Sequence, residues 1–224
     1  MSTPLTINSV ETLQEALPLI RASQEAYSNF TQEQVDAICE KTAMAVSKMR
    51  IPLAKMACEE IGYGIVVDKV TKNQYASEHV WNYMRNKKTC GVISEDKAFG
   101  VKKVASPKGV IAAITPTTNP TETIICNSIG MLAAGNAVVF SPHPRAKKVS
   151  LHLIQLINKA LCKAGAPANL VVTVSAPSIE NTNAMMSHPK IRTLVATGGP
   201  AIVKTVLSSG KKAIGAGAGN PPAV

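Results

Sequence analysis

Asn119 stands where an apolar run gives way to a helix, and its side chain could perform chemistry there. It follows the turn 115–118 and precedes Pro120, with Glu122 three residues further on. Asn, Pro and Glu in this order are typical of the N-cap, first and third positions of a helix. An Asn cap uses its side-chain oxygen as acceptor and leaves the amide NH₂ free to donate. We therefore expect Asn119 to be both a helix cap and a hydrogen-bond donor to a ligand.

Two other turns carry residue types that suit a phosphate. Residues 141–143, Ser-Pro-His, follow an apolar strand candidate, and residues 197–200, Thr-Gly-Gly-Pro, combine a strand end with two glycines and a proline. Bare glycines let a phosphate approach backbone amides, and a helix N-terminus adds partial positive charge. An ordinary strand-to-helix turn has the same features, so both interpretations of residues 197–200 stay open. No G-x-G-x-x-G fingerprint follows the first strand of this region.

The elements that must position these turns alternate along the second half of the chain. Apolar strand candidates lie at residues 110–114, 137–140, 170–174, 193–196 and 213–216. Helix candidates lie between and after them, at residues 120–134, 145–164, 178–186 and 200–208. Such alternation predicts an α/β fold, a Rossmann-type parallel sheet with helices on both faces. Ligands bind such sheets beyond the carboxyl ends of the strands, where all three turns lie.

The first half of the chain predicts helices instead. Capping boxes at Asn8 with Glu11 and at Thr31 with Gln34 predict two helices, and two more are expected from Pro52 and between residues 68 and 88. Residues 99–106 alternate loosely, as an edge strand or hairpin arm does. We expect a helical N-terminal segment at 1–98 that packs on the core, an edge or oligomerisation strand within 99–108, and a nucleotide-binding α/β domain at 109–224.

Composition excludes several classes of function. The formal charge of +10 is carried mostly by scattered lysines, and aromatic residues are only 4%, so nucleic acid is not the expected partner. No apolar run is long enough for a membrane span. The five cysteines are widely spaced and never form CxxC pairs, which disfavours disulfides and a zinc site. Cys126 lies in an apolar helical run and is expected in the core. We expect a cytoplasmic protein.

Four segments in the same order resemble the CoA-acylating aldehyde dehydrogenases. They are TPTTNPT (115–121), VVFSPHPRA (138–146), ATGGPAIVK (196–204) and IGAGAGNPPAV (214–224). The family includes the aldehyde dehydrogenase half of bifunctional aldehyde-alcohol dehydrogenase and the ethanolamine- and propanediol-utilisation enzymes, some of which work inside bacterial microcompartments. The resemblance also covers residues 27–38, 50–73 and 88–100, so it spans nearly the whole chain. It implies an aldehyde-dehydrogenase-like fold and a homo-oligomer.

The resemblance implies a reversible reaction in which a short aldehyde, CoA and NAD give acyl-CoA and NADH. A family cysteine attacks the aldehyde, and Asn119 matches the asparagine whose amide stabilises the resulting oxyanion. CoA uses much of the same groove as NAD, with Arg145, Lys147 and Lys148 as expected neighbours of its phosphates. The residues that match the nucleotide-binding segments are Thr115, Pro116, Thr117, Thr118, Ser141, Pro142, His143, Gly198, Gly199, Pro200 and Gly217.

The sequence differs from aldehyde dehydrogenase patterns in two respects. Hydrolytic aldehyde dehydrogenases have a glutamate that activates water, whereas the matching residues 214–219 contain no acid, which favours a thiol acceptor. The family's nucleophilic cysteine lies beyond Val224, and none of the five cysteines matches it. We therefore expect a fragment that is inactive alone. The alternative is a noncatalytic nucleotide-binding or assembly module. Aldehyde chain length, and NAD against NADP, stay open.

Overall fold

A computed structural model describes residues 5–219, which form nine α-helices and seven strands. The helices are α1 (Val10–Tyr27), α2 (Gln32–Lys48), α3 (Arg50–Ile61), α4 (Val66–Gln74), α5 (Val80–Met84), α6 (Pro120–Ala133), α7 (Lys147–Lys163), α8 (Ile179–Ser187) and α9 (Pro200–Leu207). The strands are β1 (Gly91–Asp96), β2 (Val101–Ala105), β3 (Val110–Ile114), β4 (Ala137–Ser141), β5 (Val171–Thr173), β6 (Ile191–Thr197) and β7 (Lys212–Ala216). The last five residues of the resemblance, 220–224, lie outside the described residues.

The predicted parallel sheet is confirmed, with the strand order β5-β4-β3-β6-β7. From the central β3 the chain first steps outward through β4 to β5 and then returns to the other side through β6 to β7. Right-handed crossovers in opposite directions place their helices on opposite faces. Accordingly α6 and α7 pack together, while α9 contacts β6 and β7. Strands β3 and β4 are therefore buried almost throughout, which explains their uninterrupted apolar sequences.

The N-terminal helices pack on this core. Helix α2 packs on α6 and α7, and α1 contacts α8, β3 and β4. The box at Thr31 and Gln34 is confirmed as the start of α2, where such a cap stabilises a helix by about 1 kcal/mol. The box at Asn8 and Glu11 is wrong, because α1 uses Ser9 with Thr12. A π-helical turn at Tyr75–His79 divides the expected fourth helix into α4 and α5.

Strands β1 and β2 form a separate antiparallel hairpin. The hairpin arm predicted at residues 99–106 is confirmed as β2, but β1 was missed, so the N-terminal segment is not helical to its end. The surface of the hairpin is partly apolar, since Phe99 in the turn is 82% exposed and Val101 and Val104 are also exposed. No helix within residues 5–219 is long and apolar enough to cross a membrane.

Candidate functional site

A cavity of about 830 Å³ opens at the carboxyl ends of β3, β4 and β6. We call it the strand-end cavity. Its walls are residues 114–119 after β3, 141–144 after β4, 197–199 after β6 and 217–219 after β7, with parts of 177–183 and Ile202. It lies where the strand order reverses, which is the ligand-binding position of doubly wound sheets. The three turns singled out in the sequence therefore meet at one place.

The strand-end cavity brings together nearly all the residues predicted for the site. Pro200 is the exception, because it begins α9 without lining the cavity. The contribution of α8 and the turn before it was not predicted, since nothing in their sequence resembles a binding motif. The predicted residues that line the cavity are Thr115, Pro116, Thr117, Thr118, Asn119, Ser141, Pro142, His143, Gly198, Gly199 and Gly217.

Thr115 lines this cavity and carries a buried hydroxyl without a partner in the described part of the chain. Its side chain is 2% exposed, and its hydroxyl finds no hydrogen-bond partner within residues 5–219. Buried hydroxyls are normally paired, so an orphan at a cavity wall fits a ligand contact. The buried Ser141 hydroxyl, by contrast, lies 3.0 Å from that of Thr182 on α8. This bond links the end of β4 to the wall that the sequence did not predict.

The two glycines before α9 have different roles. A Cβ on Gly198 would lie 2.9 Å from Cγ2 of Ile202, so the close packing of the turn against α9 requires glycine there. A Cβ on Gly199 would meet nothing within 4 Å, and Gly199 is the N-cap with no side chain to fill the helix start. The first N–H groups of α9 are thus left open to an anion, as the phosphate interpretation requires.

Asn119 occupies the N-cap position of α6, but its side chain does not cap the helix. This part of the prediction is wrong, because the side-chain oxygen accepts a hydrogen bond from Nζ of Lys72 at 3.2 Å instead. The amide nitrogen makes only a long contact of 3.5 Å with Oγ1 of Thr118. The NH₂ group therefore remains available as a donor, because Lys72 engages the oxygen and only the long contact with Thr118 engages the nitrogen.

Two more side chains hold the loop before Asn119, and sequence reasoning missed both. Nζ of Lys69 donates to the carbonyl oxygen of Thr118 at 2.9 Å, although the lysine is only 3% exposed. The hydroxyl of Tyr63 lies 3.0 Å from Oγ1 of Thr117. Lys69 and Lys72 are three residues apart on α4 and so share one face. This spacing shows from sequence that the two lysines lie on one side of α4, but it does not identify the loop that they contact.

A second cavity, of about 550 Å³, lies on the other side of Asn119 between α4 and α6. We call it the α4–α6 cavity. Lys72 and Tyr75 line one wall, and Glu122 and Cys126 line another. The expectation that Cys126 is in the core is wrong, because the cysteine borders this cavity and is exposed. Partial burial of the thiol nevertheless raises its pKa.

The basic residues after β4 do not gather at the strand-end cavity. The Arg145 guanidinium donates to the carbonyl oxygen of Ile61 at 2.7 Å and so completes the end of α3. Lys147 lines a separate cavity of about 410 Å³ near the start of α1, and Lys148 is exposed. His143 is exposed at the cavity mouth, where its Nδ1 accepts from the backbone N–H of Arg145 at 3.2 Å. Neither Arg145 nor Lys148 lines the strand-end cavity.

Residues 5–219 contain no group of three or more His, Cys, Asp or Glu side chains that could hold a metal ion.

The chain is similar to known proteins along nearly its whole length. The model of the aldehyde dehydrogenase family matches residues 6–218. Bifunctional aldehyde-alcohol dehydrogenase AdhE of Escherichia coli is 48% identical over 220 residues, which are 98% of this chain and 25% of that protein. Two solved structures are similar in both sequence and fold, and the chain covers about half of each.

The first is propionaldehyde dehydrogenase of Rhodopseudomonas palustris with bound propionyl-CoA. It is 50% identical with a TM-score of 0.84, and the match covers 98% of this chain and 48% of that one. The second is an engineered glycolyl-CoA reductase with bound NADP⁺. It is 48% identical with a TM-score of 0.85, and the match covers 99% of this chain and 49% of that one. The chain therefore spans between a quarter and a half of the length of these relatives.

Proposed function

Because this chain belongs to the aldehyde dehydrogenase family, we propose that it is the nucleotide-binding portion of an enzyme that converts a short aldehyde to acyl-CoA with NAD as oxidant. The relatives at 48–50% identity support the acylating branch, since one is a propionaldehyde dehydrogenase with bound propionyl-CoA and another a glycolyl-CoA reductase with bound NADP⁺. The proposed reaction is reversible, and in the forward direction aldehyde, CoA and NAD⁺ give acyl-CoA, NADH and a proton.

The observation that carries the proposal is the convergence of the predicted turns on the strand-end cavity. Its volume suits a dinucleotide in an open groove, and its walls offer the orphan hydroxyl of Thr115 and the open start of α9. Thr115 would pair with a polar group of the nucleotide, and the amides after Gly199 with a phosphate. When bound, the nicotinamide accepts the hydride that leaves the substrate.

Asn119 is the residue that this portion contributes to the chemistry. It lies between the two cavities and lines both. Its NH₂ group would donate to the oxygen of the aldehyde as that oxygen becomes an anion, which lowers the energy of the charged state. The α4–α6 cavity on the far side of Asn119 is then the place for the aldehyde. The acid-free sequence of residues 214–219 fits an acyl group that passes to a thiol rather than to water.

We further propose that the 224-residue chain is inactive by itself, because none of its five cysteines matches the family nucleophile. The enzyme is proposed to be a homo-oligomer, and the exposed apolar residues of the β1–β2 hairpin support this. Cytoplasmic localisation stays a prediction from the sequence.

The experiment has two parts. NADH, NADPH and CoA are titrated separately into the 224-residue chain by calorimetry, and acetaldehyde with CoA and NAD⁺ is supplied to the same chain. We expect NADH and CoA each to bind, and we expect no turnover. Failure of all three nucleotides to bind would refute the nucleotide-binding role. NADH formation by this chain would refute its inactivity, and tighter binding of NADPH would replace NAD by NADP.

A further inference from the structure

The contact between Lys72 and Asn119 fixes the orientation of the Asn119 amide. An ammonium group has three donors and no acceptor, so the amide atom that faces Nζ of Lys72 must be the oxygen. The NH₂ group is then turned to the other edge of the amide plane. Because the helix N-terminus does not use this side chain, no other bond within residues 5–219 holds its oxygen. We propose that Lys72 is the positioning residue of the oxyanion donor Asn119.

The alternative orientation of this amide would oppose the reaction. If the amide rotated by half a turn, its oxygen would stand where the NH₂ group stands now. A developing oxyanion would then meet a partial negative charge instead of a donor. The present contact of the NH₂ group with Thr118 is 3.5 Å long, too weak to prevent that rotation. The lysine is the contact that does.

The helix that carries Lys72 is anchored to the same loop by a second lysine. Lys69 lies on the same face of α4, is buried, and bonds to the carbonyl oxygen of Thr118, the residue before Asn119. Adjacent residues of the loop are thus bound by two lysines one helical turn apart. Preorganisation of this kind is what a catalytic donor needs, because the group does not have to reorient as charge develops.

Lys72 is exposed, and no carboxylate competes with Asn119 for its ammonium group in an ion pair within the described residues. Within residues 5–219 it forms no ion pair with a carboxylate, since the two ion pairs there are Arg21 with Glu25 and Lys102 with Glu95. The ammonium therefore polarises the Asn119 amide and adds positive potential beside the proposed oxyanion.

The inference rests on the proposed function, and its test uses the full-length enzyme that contains this chain. Lys72→Met removes the charge and keeps the stem, Lys72→Arg keeps a donor, and Lys55→Met on the exposed side of α3 is the matched control. We expect Lys72→Met to lower kcat by about tenfold, less than the loss of an oxyanion donor itself. The KM for NAD⁺ and the thermal midpoint should not change. Lys72→Arg should recover most of kcat, and Lys55→Met should match the unsubstituted enzyme.

A double-mutant cycle separates positioning from a structural role. If Lys72 acts through Asn119, then Lys72→Met should change kcat by less than about twofold when Asn119 is already alanine. Equal losses in both backgrounds would overturn the inference, as would unchanged kcat in Lys72→Met alone. An unsubstituted full-length enzyme without CoA-dependent aldehyde oxidation would overturn the proposed function and this inference together. Activity that Lys72→Met leaves intact would overturn only the inference.

Discussion

The carboxylate of Glu60 accepts a hydrogen bond from the backbone N–H of Lys148 at 2.8 Å. Its second oxygen accepts from the N–H of Val149 at 2.7 Å. A side chain at the end of α3 therefore caps α7 from outside, eighty-eight residues away in sequence. The positive end of that helix is already filled by a protein carboxylate. The start of α7 is therefore occupied, which is consistent with our proposal that a phosphate binds at the start of α9.

The Glu60 cap predicts a measurable contribution to stability. Glu60→Ala leaves two amides of the first turn of α7 without their partner and should lower the free energy of unfolding by about 1–2 kcal/mol. Urea denaturation of the 224-residue chain measures this. Glu59→Ala is the control, because Glu59 is exposed and makes no side-chain hydrogen bond within the described residues. Equal midpoints for both variants would mean that the cap does not stabilise the fold.

We predict a larger loss of stability when Asn136, in the turn between α6 and β4, is replaced. It is 4% exposed, accepts from the N–H groups of Lys108 and Gly109 at 2.6 and 3.1 Å, and donates to Met131 and Ala134. Asn136→Ala leaves several of these buried groups unpaired, each at a cost of about 1–3 kcal/mol. We expect the chain to unfold at markedly lower urea concentration. Asn82→Ala on the exposed side of α5 should be nearly neutral, and a neutral Asn136→Ala would contradict the network.

We predict that replacing Thr115 weakens NADH binding without lowering the stability of the fold. Thr115→Val keeps the shape and removes the orphan hydroxyl, so NADH should bind about three- to tenfold more weakly, as loss of one hydrogen bond implies. The free energy of unfolding should stay equal or rise, because an unpaired buried polar group is lost. Calorimetry and urea denaturation give the two values. Thr205→Val on the exposed side of α9 should alter neither. A drop in stability for Thr115→Val would show that the hydroxyl has a protein partner.

Thiol reactivity should depend on pH in a residue-specific way. Burial raises the pKa of Cys39 to about 12, so at pH 8 only about one molecule in ten thousand carries the reactive thiolate. The raised pKa of Cys126 should make its reaction with a disulfide reagent slow at pH 7 and faster at pH 9. Cys162 is exposed and should react first. Mass spectrometry of the native chain gives the order of labelling. Early labelling of Cys39 would contradict its burial.

The sequence was most informative where local signals determine structure. Asn119 and Pro120 start α6, and Gly135 ends it with a φ of 73° that glycine adopts without strain, so that unit could be predicted from its own residues. Strand β1 could not, because its exposed sequence Gly-Val-Ile-Ser-Glu-Asp is a strand only through its pairing with β2. The bond from Lys72 to Asn119 joins residues 47 apart and requires the tertiary fold.

The position of Cys126 shows the same limit. An apolar neighbourhood in sequence predicts burial, but burial also needs an element that covers that face of the helix. Within residues 5–219 the face of α6 that carries Cys126 borders the α4–α6 cavity instead. The sequence therefore identified an apolar helix, but whether Cys126 on that helix reaches solvent depends on how α4 packs against α6.

The order of the strands has a consequence for how the chain folds. Strand β3 pairs on one side with β4, its neighbour in sequence, with Val110 opposite Ala137, and on the other side with the more distant β6, where Val110 lies opposite Ile191. Closing the longer loop costs more chain entropy, and non-local pairings of this kind slow folding. The edge that β6 must fill is the edge beside the strand-end cavity. Because the ligand site needs both β4 and β6, we expect it to be completed late in folding.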